Sequence, residues 1–219
     1  MTAKMSTKLT RTPLTDEELE KLTADDFLKL KLTGDEKTRL REINQAKACR
    51  RAEQSVAVRA EEAPILADLR AVGSNLKSVW DLVNTSGRYP DAVPVLLKHL
   101  PQPYSDRTKE GIARALAVSE AKYAWPLLVE EYCKAPVGEK DGVRFGAKSG
   151  LAAALAATAT DDVIGELIVL AKDQSHGSSR LLLLRALRRS KAVAAKQILE
   201  ELASDPALSK EISSWKRMK

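Results

Sequence analysis

Asp141–Leu151 reads DGVRFGAKSGL: an acid, a Val-Arg pair, then a row of Gly and Ala closed by Leu. The order returns earlier in the chain. Asp141, Val143, Arg144, Gly146, Ala147, Gly150 and Leu151 stand against Asp106, Thr108, Lys109, Gly111, Ile112, Ala115 and Leu116, at an offset of 35 throughout. A third copy lies at an offset of 36: Gly177, Ser179, Arg180, Leu182, Leu183, Ala186 and Leu187, with glycine in place of the acid. Residues three and four apart share one helix face, so each copy predicts a helix with one tightly packed stripe. Small residues on that stripe let helix axes approach to about 8–10 Å. The acid before the helix is placed to cap free N–H groups. The Lys or Arg behind it faces the unfavourable end of the helix dipole, so an acid must hold it. The cap Asp of its own or a neighbouring repeat is the expected partner.

A second period supports the first. Pro64, Pro94 and Pro126 each sit just inside an apolar run, 30 and 32 residues apart. Proline is tolerated in the first turn of a helix, where its missing N–H would have no partner. A helix start recurring at this spacing signals a stacked array. The units divide as about 61–88, 90–119, 121–158, 160–189 and 191–217. The last has a first helix over Ala192–Ala203, a break at Asp205-Pro206 and a closing segment from Leu208 to Trp215.

Composition points the same way. Aromatics make up only 4% of the 219 residues and β-branched alternation is scarce, which argues against a β-rich protein and for an all-α one. Cys49 and Cys133 are too few and too far apart for a disulfide framework or a zinc site, and predict reduced thiols in a cytoplasmic protein. The N-terminal stretch has no apolar h-region, and no run approaches a membrane span; the longest, Leu181–Leu184, is framed by Arg180 and Arg185. No membrane association is expected. Residues 1–12 predict a disordered tail and 13–60 a polar helical extension. In the extension, Thr15 with Glu18 forms a capping box, Thr23 with Asp26 suggests another cap, and a long helix runs from Asp35 to about Glu62. Its apolar positions Leu40, Ile43 and Ala46 fade along its length, so this region is expected to be mobile or partner-dependent. The net charge of +6 is uneven: residues 1–60 carry +3, residues 61–171 carry −3 and residues 172–219 carry +6. A basic C-terminal segment can attract nucleic acid or an acidic protein.

The paired pattern, a proline-bearing first helix followed by Asp-x-x-Val-Arg-like residues opening a second helix with a small-residue face, resembles the HEAT repeat. The match is good over 90–189 and weaker on either side. More narrowly, SVWDLVN, YPDAVPVLLKHL, KEGIARALAV, PLLVEEY and HGSSRLLLLRAL resemble small bacterial HEAT-repeat proteins over roughly 60–190. The resemblance implies a right-handed α-α superhelix of about five helix pairs over 61–219, with second helices lining its concave side. Such pairs bury their apolar stripes only against neighbours and caps, and the N-terminal helices are candidates for one cap.

The residues that could carry chemistry are few. His99 and His176 have no carboxylate or thiol at metal spacing, so neither a metal nor a cofactor is expected. HEAT-type deoxyhypusine hydroxylases hold di-iron through His-Glu pairs, and no His-Glu dipeptide occurs here. HEAT-like alkylpurine DNA glycosylases use tryptophans and an aspartate beside a basic track. In this chain the Trp80-Asp81 adjacency puts the side chains about 100° apart on a helix. Trp80 reads as core with Val79, Leu82 and Val83, Trp125 as packing between repeats, and Trp215 as the cap of the last repeat. Nothing selects the HEAT-like phycobiliprotein chromophore lyases, and no phosphate loop, nucleophile elbow or paired-carboxylate motif emerges.

The basic ladder Lys109, Arg144, Arg180 has two readings. Either each residue ties adjacent helices through acids, or the ladder joins Arg114, Arg185, Arg188 and Arg189 on the concave face and meets an anionic partner. The expected function is a non-enzymatic scaffold that binds a protein through Lys109, Arg114, Arg144, Arg180 and Arg185, with Trp80 and Trp125 as candidate aromatic anchors. The alternative is a HEAT-like DNA-binding protein, up to a DNA glycosylase-type repair enzyme. Any nucleic-acid binding would be backbone-driven and strongly salt-dependent.

Overall fold

A computed structural model describes residues 12–140, 143–144 and 146–216; the side chains at 24, 28, 139, 140, 143, 144 and 216 are outside the description. The tail expected over 1–12 falls outside the described residues except for residue 12, as do Asp141 and the Arg144 side chain. The architecture is all-α. Among the described residues the extended pairing is confined to β1 (Glu139–Lys140) and β2 (Val143–Arg144), an antiparallel two-residue ladder. The chain separates into two compact units, residues 1–57 and 58–219.

The first unit is a series of capped helix starts. Thr15 opens α1 (Asp16–Glu20) with a capping box to Glu18, and Thr23 opens α2 (Ala24–Lys29) with one to Asp26. Thr33 repeats the device at the start of α3 (Gly34–Ala71): its N–H donates to Glu36 Oε2 at 2.8 Å, and Glu36 N–H donates back to Thr33 Oγ1 at 3.2 Å. These boxes satisfy helix-end donors that no turn of helix can reach. Arg39 of α3 ion-pairs with Asp16 of α1 and donates to Leu14 O, and Leu19 is buried. Leu40 and Ile43 are half-buried, and residues 48–57 are all exposed, as the fading apolar stripe implied.

α3 continues to Ala71 rather than stopping near Glu62, so Pro64 lies inside a helix and does not open a repeat. A proline there loses one backbone hydrogen bond. The burial of Ile65 and Leu69 just beyond it favours continuing the helix.

In the second unit, short helices alternate between two sets. α4 (Trp80–Val83), α6 (Asp106–Ala115), α8 (Ala147–Thr158) and α10 (Arg180–Arg189) each touch the next in this order. Against this row lie α5 (Ala92–His99) on α6, α7 (Trp125–Lys134) on α8, α9 (Ile164–Lys172) on α10, and α11 (Val193–Leu202) on α9 and α10. α12 (Ser209–Lys216) follows, with Leu208 and Ile212 buried beside it. The core is aliphatic: Leu96, Ile112, Leu128, Leu155, Leu167 and Leu183 are fully buried, and Tyr132 is the largest fully buried side chain among the described residues.

The stretch from Asp141 to Leu151 departs from the expected helix start. Val143 and Arg144 lie in β2, and α8 begins only at Ala147. Relative to the basic residue of each copy, α6 starts three residues early, α10 at it and α8 three late. The cause is the connection 135–146, long enough to turn at Gly138 (φ 93°) and fold back as a ladder. The start of α8 is capped from another repeat: Asp106 accepts from Gly146 N–H at 2.6 Å and from Ala147 N–H at 3.1 Å. The recurring acid does cap a helix, but that of the next copy.

The expected small-residue seams are present. A Cβ at Gly150 would lie 3.0 Å from Glu110 O and 3.1 Å from Ala113 Cβ, so α8 rests directly on the backbone of α6. A Cβ at Gly111 would lie 2.9 Å from Trp80 Nε1, so this glycine makes room on α6 for the indole ring of α4. Gly150→Val must therefore push α6 and α8 apart. It is expected to lower unfolding free energy by about 1–3 kcal/mol, measured by urea denaturation.

Candidate functional site

Helix phase decides which basic residues share a surface. On α6, Arg107, Glu110 and Arg114 stand at i, i+3 and i+7 and face outward together. The Arg107 guanidinium stacks 3.7 Å from the centre of the Trp80 ring and donates to Glu110 Oε2 at 3.0 Å. Arg114 Nε donates to Glu110 Oε1 at 2.8 Å. Trp80 is half-buried, sandwiched between Gly111 and Arg107 rather than sealed in the core, and its indole N–H is buried without an acceptor.

The next helix is low on this face. α8 presents Gly146, Ser149, Ala153 and Ala157, all half-buried and small. Beyond it α10 presents Leu181, Leu182 and Arg185, with Arg188 and Arg189 in the following turn. The result is a cleft of about 510 Å³ walled by Glu110 and Arg114 on one side and by Leu181 and Leu182 on the other, with Ser149 on its floor. Arg188 stacks on Trp215 of α12 at 4.8 Å, and Arg189 donates to Ala156 O at 2.7 Å. Arg185 is exposed and has no hydrogen-bond or ion-pair partner among the described residues.

The structure brings Arg114 and Arg185 to this face, with Trp80 under Arg107 beside them, and places Lys109, Arg180 and Trp125 elsewhere; the Arg144 side chain lies outside the described residues. Lys109 points to a separate cleft of about 460 Å³ edged by Pro101, Pro103 and Tyr104, where it shares the buried Glu131 with Lys134. Arg180 is 2% exposed; it donates to Ala171 O and Gly177 O and pairs with Asp205 at 2.8 Å. The bond from Arg180, then that from Ala207 N–H, hold the Asp205 carboxyl below the usual range. Trp125 is buried and donates its indole N–H to Glu166 at 2.9 Å. Lys109 and Arg180 thus tie neighbouring elements through acids, but Lys109 uses a helix-interior glutamate rather than a cap aspartate. Arg107 was not singled out by the repeat alignment; its phase with Glu110 and Arg114 was the available signal.

The residues of catalytic type are engaged in the frame. His99 Nε2 lies 3.0 Å from Asp68 and its Nδ1 2.8 Å from Tyr104 OH. The carboxylate fixes the proton on Nε2, so the phenol donates to Nδ1. Burial, with Asp68 and Glu61 nearby, pushes the Tyr104 hydroxyl above its ordinary pKa, the wrong direction for a nucleophile. Tyr132 is pushed up to about 12 by burial. Its OH reaches Ser179 Oγ, which donates onward to His176 O. Lys148 is buried and donates to the carbonyls of Tyr132 and Ala135 at the end of α7; burial lowers its pKa. Cys49 and Cys133 are exposed thiols, and no group of three or more metal-binding side chains forms among the described residues. No helix among them is long and apolar enough to cross a membrane. No protein-family model, curated protein or solved structure matches the chain.

Two outcomes separate frame from surface. Arg180→Ala removes the guanidinium that Asp205 Oδ2, Ala171 O and Gly177 O share and is expected to cost on the order of 2 kcal/mol of stability, whereas Arg185→Ala should change it by less than about 0.5 kcal/mol. Thermal and urea unfolding of both variants provides the comparison. The buried His176 gives a pH dependence. Its burial, then the positive Lys148 and Arg180, lower its pKa from 6.5 against an opposing Asp173. The unfolded chain therefore binds this proton more readily than the folded one, so stability is complete above 6.5 and falls as pH drops below it. Melts between pH 7.5 and about 5.5 should show that loss in the wild type and a flatter profile in His176→Phe.

Proposed function

We propose that residues 58–219 form a non-enzymatic, right-handed HEAT-like superhelix that holds a protein partner on the face presented by α4, α6, α8 and α10. Two sets of short helices alternating along the chain support the repeat reading. The observation that carries the binding reading is the single outward face bearing Arg107, Arg114, Arg185 and Arg188 around a low floor of small residues. In a superhelix of this hand that face is the concave one. Arginine is favoured at such a surface because its planar fork pairs with carboxylates in a defined geometry. Trp80 and Trp215 each sit under an arginine at the two ends of the array, and Arg and Trp are the residues that most often anchor interfaces. The cytoplasm, where exposed thiols stay reduced, is the proposed location.

Duplex DNA competes for the same arginines. The test uses the double reversal Arg114→Glu with Arg185→Glu, the first half-buried beside Glu110 and the second exposed. A partner captured from native lysate by the wild type should be lost by the variant while it keeps a cooperative melting transition, and by Arg185→Glu alone, whose melting curve stays unchanged. Capture indifferent to the reversal overturns the reading. So does binding of a duplex of about 20 base pairs at about 50 mM salt that the same reversal abolishes, which would assign the face to nucleic acid.

A further inference from the structure

The cleft along α8 is shaped and charged for one kind of occupant. α8 has 12 residues and spans about 18 Å at 1.5 Å per residue. Its half-buried residues Ser149, Ala153 and Ala157 recur every four positions: Ser149 floors the cleft, and Ala153 and Ala157 continue the same small-residue side of α8 beyond it. The α10 wall begins apolar at Leu181 and Leu182, both half-buried. Above the floor the charge is positive on both sides: Arg114 on α6, Arg185 on α10. Glu110 is the carboxylate in the array, and it is held by Arg107 and Arg114, leaving Arg185 without an anion.

We infer that the α6–α8–α10 cleft receives an amphipathic α-helix of a partner protein, with an apolar stripe flanked by carboxylates. This rests on the protein-binding reading and names its partner class. The apolar stripe lies on Ala153 and Ala157 and against Leu181 and Leu182. Small residues below admit a helix at close range, as Gly150 already does for α6. The flanking carboxylates reach Arg185 on one side and Arg114 on the other. A helix fits better than an extended strand, because the floor is itself a helix face with satisfied backbone groups and no sheet edge to extend. Nucleic acid is disfavoured by the same geometry: Leu181 and Leu182 offer a phosphate backbone nothing, and they stand between the arginines.

The probe is a synthetic peptide of about 18 residues, roughly 27 Å as a helix, with Leu at i, i+3, i+4 and i+7, Glu on both flanks and a fluorescent label. Two control peptides carry Gln or Lys in place of Glu. Fluorescence anisotropy on the full chain should show saturable binding of the Glu peptide, about tenfold weaker binding of the Gln peptide and none of the Lys peptide. Ala153→Trp fills the floor and Ser149→Glu places a like charge on it; each should weaken the Glu peptide by about tenfold or more. Circular dichroism and melting confirm that each variant is folded, and Ser149→Glu serves if Ala153→Trp is not. No binding of the Glu peptide up to about 1 mM, equal binding of the Lys peptide, or binding unaffected by folded floor variants overturns the inference. Failure of the broader reading looks different: a native partner sensitive to Arg114→Glu and Arg185→Glu but not to the floor variants keeps the protein-binding face and removes only the helix. A duplex that displaces the peptide and binds more tightly than it at about 150 mM salt removes both.

Discussion

The approach of α8 to α6 at Gly150 sets the geometry of the second unit. With no Cβ at Gly150, α8 lies against the Glu110 carbonyl and the Ala113 methyl. A glycine four residues earlier lets the Glu110 carboxylate occupy the space a side chain at 146 would take. That carboxylate is thereby fixed where Arg107 and Arg114 both reach it. One turn earlier on α6, Asp106 closes the N-terminus of α8. So α6 supplies α8 with its closest contact, its cap and its charged flank. The electrostatics of the outer face follows from a packing constraint in the interior, and the low floor has the same origin. A helix that must sit this close is built from Gly, Ala and Ser on both of its sides.

This seam was legible in the sequence because it is a property of side-chain volume at helical spacing. The starting points of the helices were not. Lys109, Arg144 and Arg180 occupy equivalent places in the alignment, yet one lies within a helix, one in a two-residue ladder and one at a helix start. Helix starts are set by whichever group satisfies the first N–H donors, and for α8 that group is an aspartate 40 residues earlier in the chain. A repeat alignment compares each turn with its own copies and does not contain that partner. Pro64 misled for a related reason. Its penalty, about 3 kcal/mol, is local, whereas the burial of Ile65 and Leu69 that offsets it is a tertiary effect.

The candidate face divides along the same line. Arg114 and Arg185 were found because their neighbours are apolar or small and their phase is unambiguous. Arg180 was grouped with them by alignment, but the acid that buries it comes from 25 residues further on, across the turn before α12. Arg107 went unmarked because its importance lies in a stack on Trp80, from a helix that the repeat pattern places in the preceding unit. Contacts between units are where sequence periodicity says least.

Short helices also explain why so many polar residues of catalytic type are engaged in holding the fold. From α4 to α12 no helix exceeds 12 residues, so ends are frequent, and every end leaves backbone groups unsatisfied. Lys148 closes the carbonyls at the end of α7, Arg180 serves Ala171 and Gly177, Arg189 serves Ala156, and Asp106 opens α8. Lys148 and Arg180 are buried in this capping work, and burial lowers the Lys148 pKa. Arg185 is the exception that the same accounting exposes. It reaches no carbonyl and no carboxylate among the described residues, and it stands three and four positions from Arg188 and Arg189, where like charges on a helix repel. The helix dipole offsets charge in the last turn, which covers Arg188 and Arg189 better than Arg185. That leaves Arg185 as a charge at the rim of the low floor that no group among the described residues compensates.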